Sequence, residues 1–470
     1  MRLRWWVLLA TAVILLARLP SLAPLVLDHD ESTYMVMARE WLQGAVLYVD
    51  VWDTKPPGIF LVTAFAQTLF GTTVVAFRLF SWSFVALGAW AIFAILRRRL
   101  GESPERAAFW ALLYPALLTT TAMGHAANSE LFFSAFTLWG LYWFCEERAM
   151  PRFVAGLCYG VAIVIKLFAA FDVLPLPLFM LLRLAHRRGE GLRREILQGL
   201  GFVLGLVLPA LTLWWFASTS SSGRASIAAY HYVFWELPAK YVTSPSWGDF
   251  LKFLERGLLV PFWAVLIPAL IVVAGARRSA TRTFVSFASL WLIVLLAAQI
   301  KVGKFFPHYG IQFLPVVLLL ASQWRPTLRI STTRIAAVAL VVVMAFGLSF
   351  ARRYLARPDG VRTLAQSLRP HIAPRTLLLL ASEELPQILY LELDARPAIP
   401  YVHRTLLTQH RAVLPQTVDE IWNEALAKGP DHVLARGSGS AKLRAALIDR
   451  YREEDFRVGK DRYTLWTRKP

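Results

Sequence analysis

The sequence is poor in charge, poorer still in acid, and nearly free of cysteine. Of its 470 residues 17% are charged and 57% hydrophobic, where a soluble domain averages about 25% and about 45–50%. That balance excludes a disordered or fibrous chain. With 18 Trp and 30 Phe, it also excludes a soluble enzyme, because one water-soluble core cannot hide that much large apolar surface. The two cysteines, Cys145 and Cys158, lie inside apolar stretches, so there is no disulfide or zinc framework. No internal repeat is visible, and the inverted-repeat architecture of many transporters gains no support. Acid is outnumbered, Asp+Glu 31 against Lys+Arg 50, for a net +19. What is abundant is long apolar runs, with a mean hydropathy of +0.49, the mark of an integral membrane protein. In a soluble chain such a positive excess suggests nucleic acid. In a membrane chain the first question is where the positive residues lie.

Arg2 and Arg4 precede an apolar run from Trp5 to Ala17, the form of a signal peptide. Pro24 directly after Ser21-Leu22-Ala23 disfavours cleavage, and an uncleaved first span is expected. Further spans are expected at 74–96, 106–123, 129–145, 152–166, 167–184, 196–217, 257–275, 283–300, 308–323 and 334–350. The total is about 11, each near the ~20 residues a bilayer requires. With the N-terminus in the cytoplasm, alternate connections carry Arg97–Arg99, then Arg148 and Arg152, then Arg183, Arg187, Arg188, Arg193 and Arg194. Arg277, Arg278 and Arg282 follow, then Arg325, Arg329 and Arg334. The first opposite loop instead holds Asp28, Asp30, Glu31, Glu40, Asp50 and Asp53 against Arg39 and Lys55. This is the positive-inside pattern. Arg352-Arg353, on the outer side, run against it, but the rule weighs such a pair less when a folded domain follows.

Two apolar stretches are expected to lie on the outer surface rather than cross it. One is 56–70. The other is 32–43, where Tyr34, Met37, Ala38 and Trp41 share a helical face and Gly44 supplies the stop. After residue 356 the composition becomes soluble. Thr376–Leu380, Asp431–Ala435 and Tyr463–Thr467 read as strands. Thr417 and Glu420 form a capping box for a helix to Lys428, and 440–451 reads as another helix. The expected fold is therefore an α-helical polytopic membrane module over 1–356, whose outer (periplasmic) first loop is 27–73. A small α/β domain follows over 357–470.

Polar chemistry is concentrated in that first loop, in Asp28-His29-Asp30-Glu31-Ser32-Thr33-Tyr34 and in Tyr48-Val49-Asp50-Val51-Trp52-Asp53-Thr54-Lys55-Pro56-Pro57-Gly58. Acids at a helix start serve as caps in many proteins. Here they sit at a membrane surface with a lysine aimed by two prolines. Other polar groups recur at outer span ends: His125, Asn128 and Glu130; Lys166 and Asp172; Lys301, Lys304, His308 and Tyr309. Singly, each is as well explained by snorkelling or helix packing. Together they put acids and cations on one membrane face. Nucleotide sugars and ATP are scarce there, so an activated group must arrive on a lipid phosphate. Lys55, Lys304 and His308 can bind that phosphate as leaving group, and a carboxylate can deprotonate an acceptor hydroxyl. The residues alone give lipid-linked group transfer without naming the group.

The run Asp30-Glu31-x-x-Tyr34, Ala38-Arg39…Gly44…Tyr48…Asp50, Lys55-Pro56-Pro57-Gly58 and Phe70-Gly71…Arg78 resembles the opening of the polyprenyl-phosphate-sugar-dependent GT-C glycosyltransferases. These include protein O-mannosyltransferases and lipid A aminoarabinose transferases. Ala127-Asn128-Ser129-Glu130, Gly160…Lys166 and Lys304…His308-Tyr309…Pro315 are similar to later family features. The resemblance covers about residues 1–350. It implies that Asp30 is the catalytic carboxylate, that Glu31 positions Asp30 or the acceptor, and that Lys55 contacts the donor phosphate. It implies displacement of polyprenyl phosphate from the sugar by a hydroxyl, with inversion. Lys304, His308 and Tyr309 are the further expected phosphate contacts. Tyr34, Asp53, Asn128, Glu130 and Lys166 are expected to support the site or bind acceptor. Thr33 and Thr54 stand where aminoarabinose transferases look like Asp-Glu-x-Arg-Tyr and Glu-Lys-Pro-Pro. This departure argues against that substrate and against carrying over a metal site, so no metal ligand is assigned. The expected partners are membrane lipids, the polyprenyl-phosphate sugar donor and a glycan, lipid or protein acceptor, with no nucleic acid. The expected place is the cell inner membrane. The alternative from another class is a noncatalytic polyprenyl-lipid-binding protein or lipid-carrier transporter, which needs the cations but no base.

Overall fold

The computed structural model describes residues 2–186, 190–219, 223–275, 282–325, 332–356, 359–382, 385–407 and 411–470. The loop arginines Arg187, Arg188, Arg277, Arg278 and Arg329 lie outside these. In chain order the first helices are α1 (Arg2–Arg18), α2 (His29–Leu42), α3 (Pro57–Phe70), α4 (Val74–Ala94), α5 (Pro104–Thr119), α6 (Ser129–Phe144) and α7 (Ala149–Ile165). Then come α8 (Ala170–Val173), α9 (Pro175–His186), α10 (Glu190–Thr219), α11 (Gly223–His231), α12 (Leu237–Tyr241), α13 (Trp247–Phe253), α14 (Val260–Ala274), α15 (Arg282–Val302), α16 (Gly310–Ala321) and α17 (Thr332–Leu355). The C-terminal part adds α18 (Gly360–Leu368), α19 (Leu389–Glu392), α20 (Val418–Ala427) and α21 (Ala441–Leu447) around strands β1 (Leu377–Leu380), β2 (Arg396–Pro397), β3 (His432–Arg436), β4 (Tyr451–Val458) and β5 (Asp461–Arg468). The expected class, a helical membrane protein carrying a small C-terminal α/β sheet, is the class observed. Among the described residues, five stretches are long and apolar enough to cross a membrane: Arg4–Leu22, Val74–Arg99, Gly191–Thr219, Trp247–Ala274 and Arg282–Val302. Shorter apolar helices accompany them.

The chain forms two compact units, one of residues 1–21, 78–216 and 242–351, the other of 22–77, 217–241 and 352–470. In the first unit every residue of α16 is buried. A helix apolar on all sides can only be stable surrounded by others, and α5, α6, α14 and α15 pack around it. Helices α7 and α10 approach closely because neither puts a side chain in the way: a Cβ on Gly156 would lie 2.0 Å from the Phe202 carbonyl oxygen, and one on Gly205 would lie 2.1 Å from that of Phe153. Small residues at such crossings let dispersion contacts replace the missing hydrophobic drive within lipid. Large side chains such as Trp5, Leu204, Trp215, Trp263 and Val341 are exposed, as lipid-facing surfaces require.

The second unit joins the first loop to the C-terminal sheet, whose order is β2-β1-β3-β5-β4. Strand β1 is parallel to β2 and β3, and β5 is antiparallel to β3 and β4. Stitches between loop and sheet domain are specific. Trp52 N donates to the Pro400 carbonyl at 2.7 Å, Leu25 N to Asp359 Oδ2 at 2.7 Å, and the buried Arg39 guanidinium to the carbonyls of Tyr390 (2.8 Å) and Ala395 (2.6 Å). The 56–70 helix exists as α3. Its exposed Leu61, Phe65 and Leu69 recur every four residues, the stripe of a helix lying in an interface. The Thr417–Glu420 capping box is formed. The helix read over 440–451 is shorter: it stops at Leu447, and Tyr451 already belongs to β4. Helices α11 and α12, absent from the sequence reading, place Tyr230 against Tyr48 (centroids 5.4 Å) and send the Tyr232 hydroxyl to the Val413 carbonyl at 2.8 Å.

Candidate active site

Asp28 caps α2, its carboxylate accepting from Asp30 N at 3.0 Å. The cap fixes the first turn and with it Asp30 and Glu31, both buried. The second half of the motif is shaped by Tyr48, which holds a left-handed φ of 66°. For an aromatic residue that conformation is strained. It is stabilised here by Tyr48 N donating to the Val51 carbonyl at 2.6 Å and by the Tyr48 hydroxyl donating to the Lys55 carbonyl at 2.7 Å. Burial, then Tyr230 and Asp53, raise the Tyr48 phenol well above its ordinary range, so it stays a donor. Pro56 is extended and Pro57 opens α3, so the lysine ahead of them has little backbone freedom.

Lys55 Nζ lies 2.8 Å from Asp30 Oδ1 and 3.2 Å from Asp53 Oδ2. The Tyr34 hydroxyl donates to Asp30 Oδ2 at 3.1 Å, one helical turn along. His403 Nε2, from the C-terminal part of the chain, lies 3.2 Å from Asp30 Oδ1. Asp53 is fully buried and finds no hydrogen-bond donor beyond its ion pair with Lys55 among the described residues. Burial alone would favour the neutral amine of Lys55, but the carboxylates of Asp30 and Asp53 outweigh it and hold the ammonium above the usual lysine range. The site thus keeps two carboxylates on one permanent cation, with a histidine beside the first. An incoming anion can compete for that cation and release a basic Asp30.

The other expected residues gather in the first unit. Glu130, in the first turn of α6, is ion-paired with Lys166 and has His308 Nε2 at 4.0 Å. Ser129 Oγ donates to Glu130 Oε2 at 3.1 Å. The Lys166 ammonium lies 4.3 Å from the Tyr309 ring centroid, and His308 stacks on Phe306 with an interplanar angle of 3°. Asn128 precedes α6 and donates to the Met123 carbonyl at 3.1 Å, which fixes the loop. Lys304 lies on the loop after α15, its carbonyl accepting from Gln299 Nε2. Burial lowers its ammonium below the usual lysine range. Among the described residues no group of three or more His, Cys, Asp or Glu is placed to hold a metal ion.

His403 is the neighbour of Asp30 that motif reading missed. Tyr48 stood in the polar run of the first loop and in the family-like run, without a role of its own. His403 stands in Tyr401-Val402-His403 with no signal beyond a lone histidine, since its partner is on a distant stretch of chain.

Residues 54–215 match the family described as Dolichyl-phosphate-mannose-protein mannosyltransferase. That stretch holds Lys55, Asn128, Glu130 and Lys166 and begins after Asp30. No curated protein matches the chain. Among solved structures, ArnT from Cupriavidus metallidurans bound to undecaprenyl phosphate superposes with a TM-score of 0.68 at 19% identity, over 98% of this chain and 97% of that one. The same protein in the apo state gives 0.70 at 18% identity, over 99% and 98%. Residues 54–215 are therefore similar to the family described as Dolichyl-phosphate-mannose-protein mannosyltransferase, and the chain as a whole has the fold seen in ArnT.

Proposed function

We propose that this chain is an integral membrane glycosyltransferase that moves a sugar from a polyprenyl-phosphate donor to an acceptor hydroxyl at the outer face of the inner membrane. The observation that carries the reading is the Asp30 carboxylate, 2.8 Å from the Lys55 ammonium and 3.2 Å from His403. The undecaprenyl phosphate in the ArnT structure supports a lipid-linked donor here.

In this reading the donor phosphate draws Lys55 from Asp30, while Asp53 keeps the cation anchored. Asp30 then takes the proton of the acceptor hydroxyl. The acceptor oxygen bonds to the anomeric carbon as the bond from that carbon to the phosphate oxygen breaks. Polyprenyl phosphate leaves with the electron pair, its charge met by Lys55, and the anomeric centre inverts. A positioned carboxylate base contributes about 10²–10⁴-fold, and a cation aimed at developing charge contributes comparably. Glu31 supports Asp30. Glu130, Lys166, His308, Tyr309 and Lys304 form a second polar set for donor phosphate or acceptor. Thr33 and Thr54 disfavour aminoarabinose as the sugar. The Arg-rich connections support a cytoplasmic N-terminus and a C-terminal domain outside.

The test is mass analysis of polyprenyl-linked sugars in a deletion strain. A polyprenyl-phosphate sugar that accumulates without this chain, and is consumed when the chain is restored, supports transfer and identifies the donor. An unchanged profile contradicts it.

A further inference from the structure

We propose that the end of α6 remote from Glu130 builds a second anion site, which binds a phosphate group carried by an anionic phospholipid or by a small phosphate ester. Glu130 stands in the first turn of α6 and Cys145 caps its last. The sixteen residues between the two caps separate these ends by about 24 Å. At the Cys145 end a cleft of about 440 Å³ is lined by Arg98, Arg99 and Arg152, with Phe144, Phe284 and Phe287 among its apolar walls.

Arg99 and Arg152 are held against the protein, and the exposed Arg98 is tethered to the same tyrosine as Arg99. Arg98 Nη1 donates to the Tyr142 hydroxyl at 3.2 Å. Arg99 Nε donates to the Tyr142 carbonyl at 3.2 Å, and its Nη1 pairs with Glu146 at 2.6 Å. Arg152 Nε donates to the Glu146 carbonyl at 3.0 Å, its guanidinium 3.9 Å from the Phe144 ring centroid. The Arg99 guanidinium also lies 4.1 Å from the Tyr142 ring centroid. Arg99 Nη2 is also buried with no acceptor among the described residues. A buried, unsatisfied guanidinium N–H beside two further arginines is a ready donor for a phosphate oxygen, and Arg presents it in the fork geometry that phosphate fits. The aromatic walls suit the apolar chain next to a phospholipid headgroup, and basic pockets between membrane helices are where such headgroups bind. Orientation by the positive-inside effect needs positive charge in the loop. It does not need a concave site with a buried donor left open.

The experiment is native mass spectrometry of the purified full chain with phosphatidylglycerol or phosphatidylcholine, alongside thermal melting with inorganic phosphate. Arg99→Gln is the direct variant. Arg98→Gln, at an exposed position, keeps the test decisive where the first fails to fold. Arg193→Gln, a basic residue outside this cleft, is the control. Wild type should retain phosphatidylglycerol over phosphatidylcholine, and Arg98→Gln or Arg99→Gln should cut that retention about tenfold, the loss of one charge-assisted contact. Arg193→Gln should not. Stabilisation by inorganic phosphate that requires Arg98, with no lipid preference, also upholds the site and assigns its source as soluble. Equal retention of both lipids without a phosphate effect, or an equal loss in Arg193→Gln, overturns it.

Discussion

At the residue scale the site turns on how one lysine is shared between two carboxylates. The pKa of Lys55 is raised in the folded chain. Its contribution to stability is therefore complete below the ordinary lysine value and is lost only as pH rises through the higher folded value. Transfer measured from about pH 7 to about pH 10 should show no loss that Lys55→Arg abolishes. A basic limb belonging to Lys55 in that window would contradict the pairing. Lys55→Ala leaves the buried Asp53 without its counter-ion and should lower stability by about 3 kcal/mol, read as a drop in melting temperature. Lys55→Ala with Asp53→Asn should recover most of it. His403→Gln keeps a donor near Asp30 but removes the imidazole. It should lower kcat about tenfold, with KM for the donor little altered. The proximity of Asp30 and Lys55 was legible because both belong to one short loop whose acids, lysine and prolines form a motif. The approach of His403 was not, because no local pattern links a lone histidine to a carboxylate on another part of the chain.

At the element scale, backbone geometry and packing decide. Gly156→Val forces a side chain onto the Phe202 carbonyl and should cost about 1–3 kcal/mol or more of α7–α10 packing, measured as lost melting temperature and yield in detergent. An unchanged melt would mean that the two helices do not need this close approach. Thr417→Ala removes the cap of α20 and should cost about 1 kcal/mol without changing transfer. Elements with a strong period or a continuous apolar run were readable: β1 is four leucines, and α20 announces itself by its capping box. Strand β4 was not readable. Its sequence Tyr-Arg-Glu-Glu-Asp-Phe-Arg-Val is mostly charged, because it is an edge strand that pairs with β5 alone and leaves much of its length in water. Helices α11 and α12 were equally hidden. They are short, and tertiary contacts from Tyr230 and Tyr232, rather than a long apolar face, hold them.

At the scale of the whole molecule, the proposed orientation accounts for much of the positive excess that in a soluble chain would suggest nucleic acid. Reporter fusions should place 97–103 in the cytoplasm and the C-terminus outside, and a cytoplasmic C-terminus would reverse the proposed face of the reaction. The GT-C fold was legible from the first-loop motif and the run of apolar helices. The grouping of 22–77 and 217–241 with 352–470 in one unit was not, because apolar runs divide a chain by solvent and are silent on which distant stretches pair. The central claim is that Asp30 acts as a base, and the most direct measurement is sugar transfer by purified Asp30→Asn. The substitution keeps the side chain's size and removes its basicity. The account predicts that transfer falls by about 10²-fold or more while the melting temperature and the binding of polyprenyl phosphate are retained. Full activity in Asp30→Asn, above all if Lys55→Ala abolishes function, would contradict it and leave a protein that binds the lipid carrier without performing chemistry.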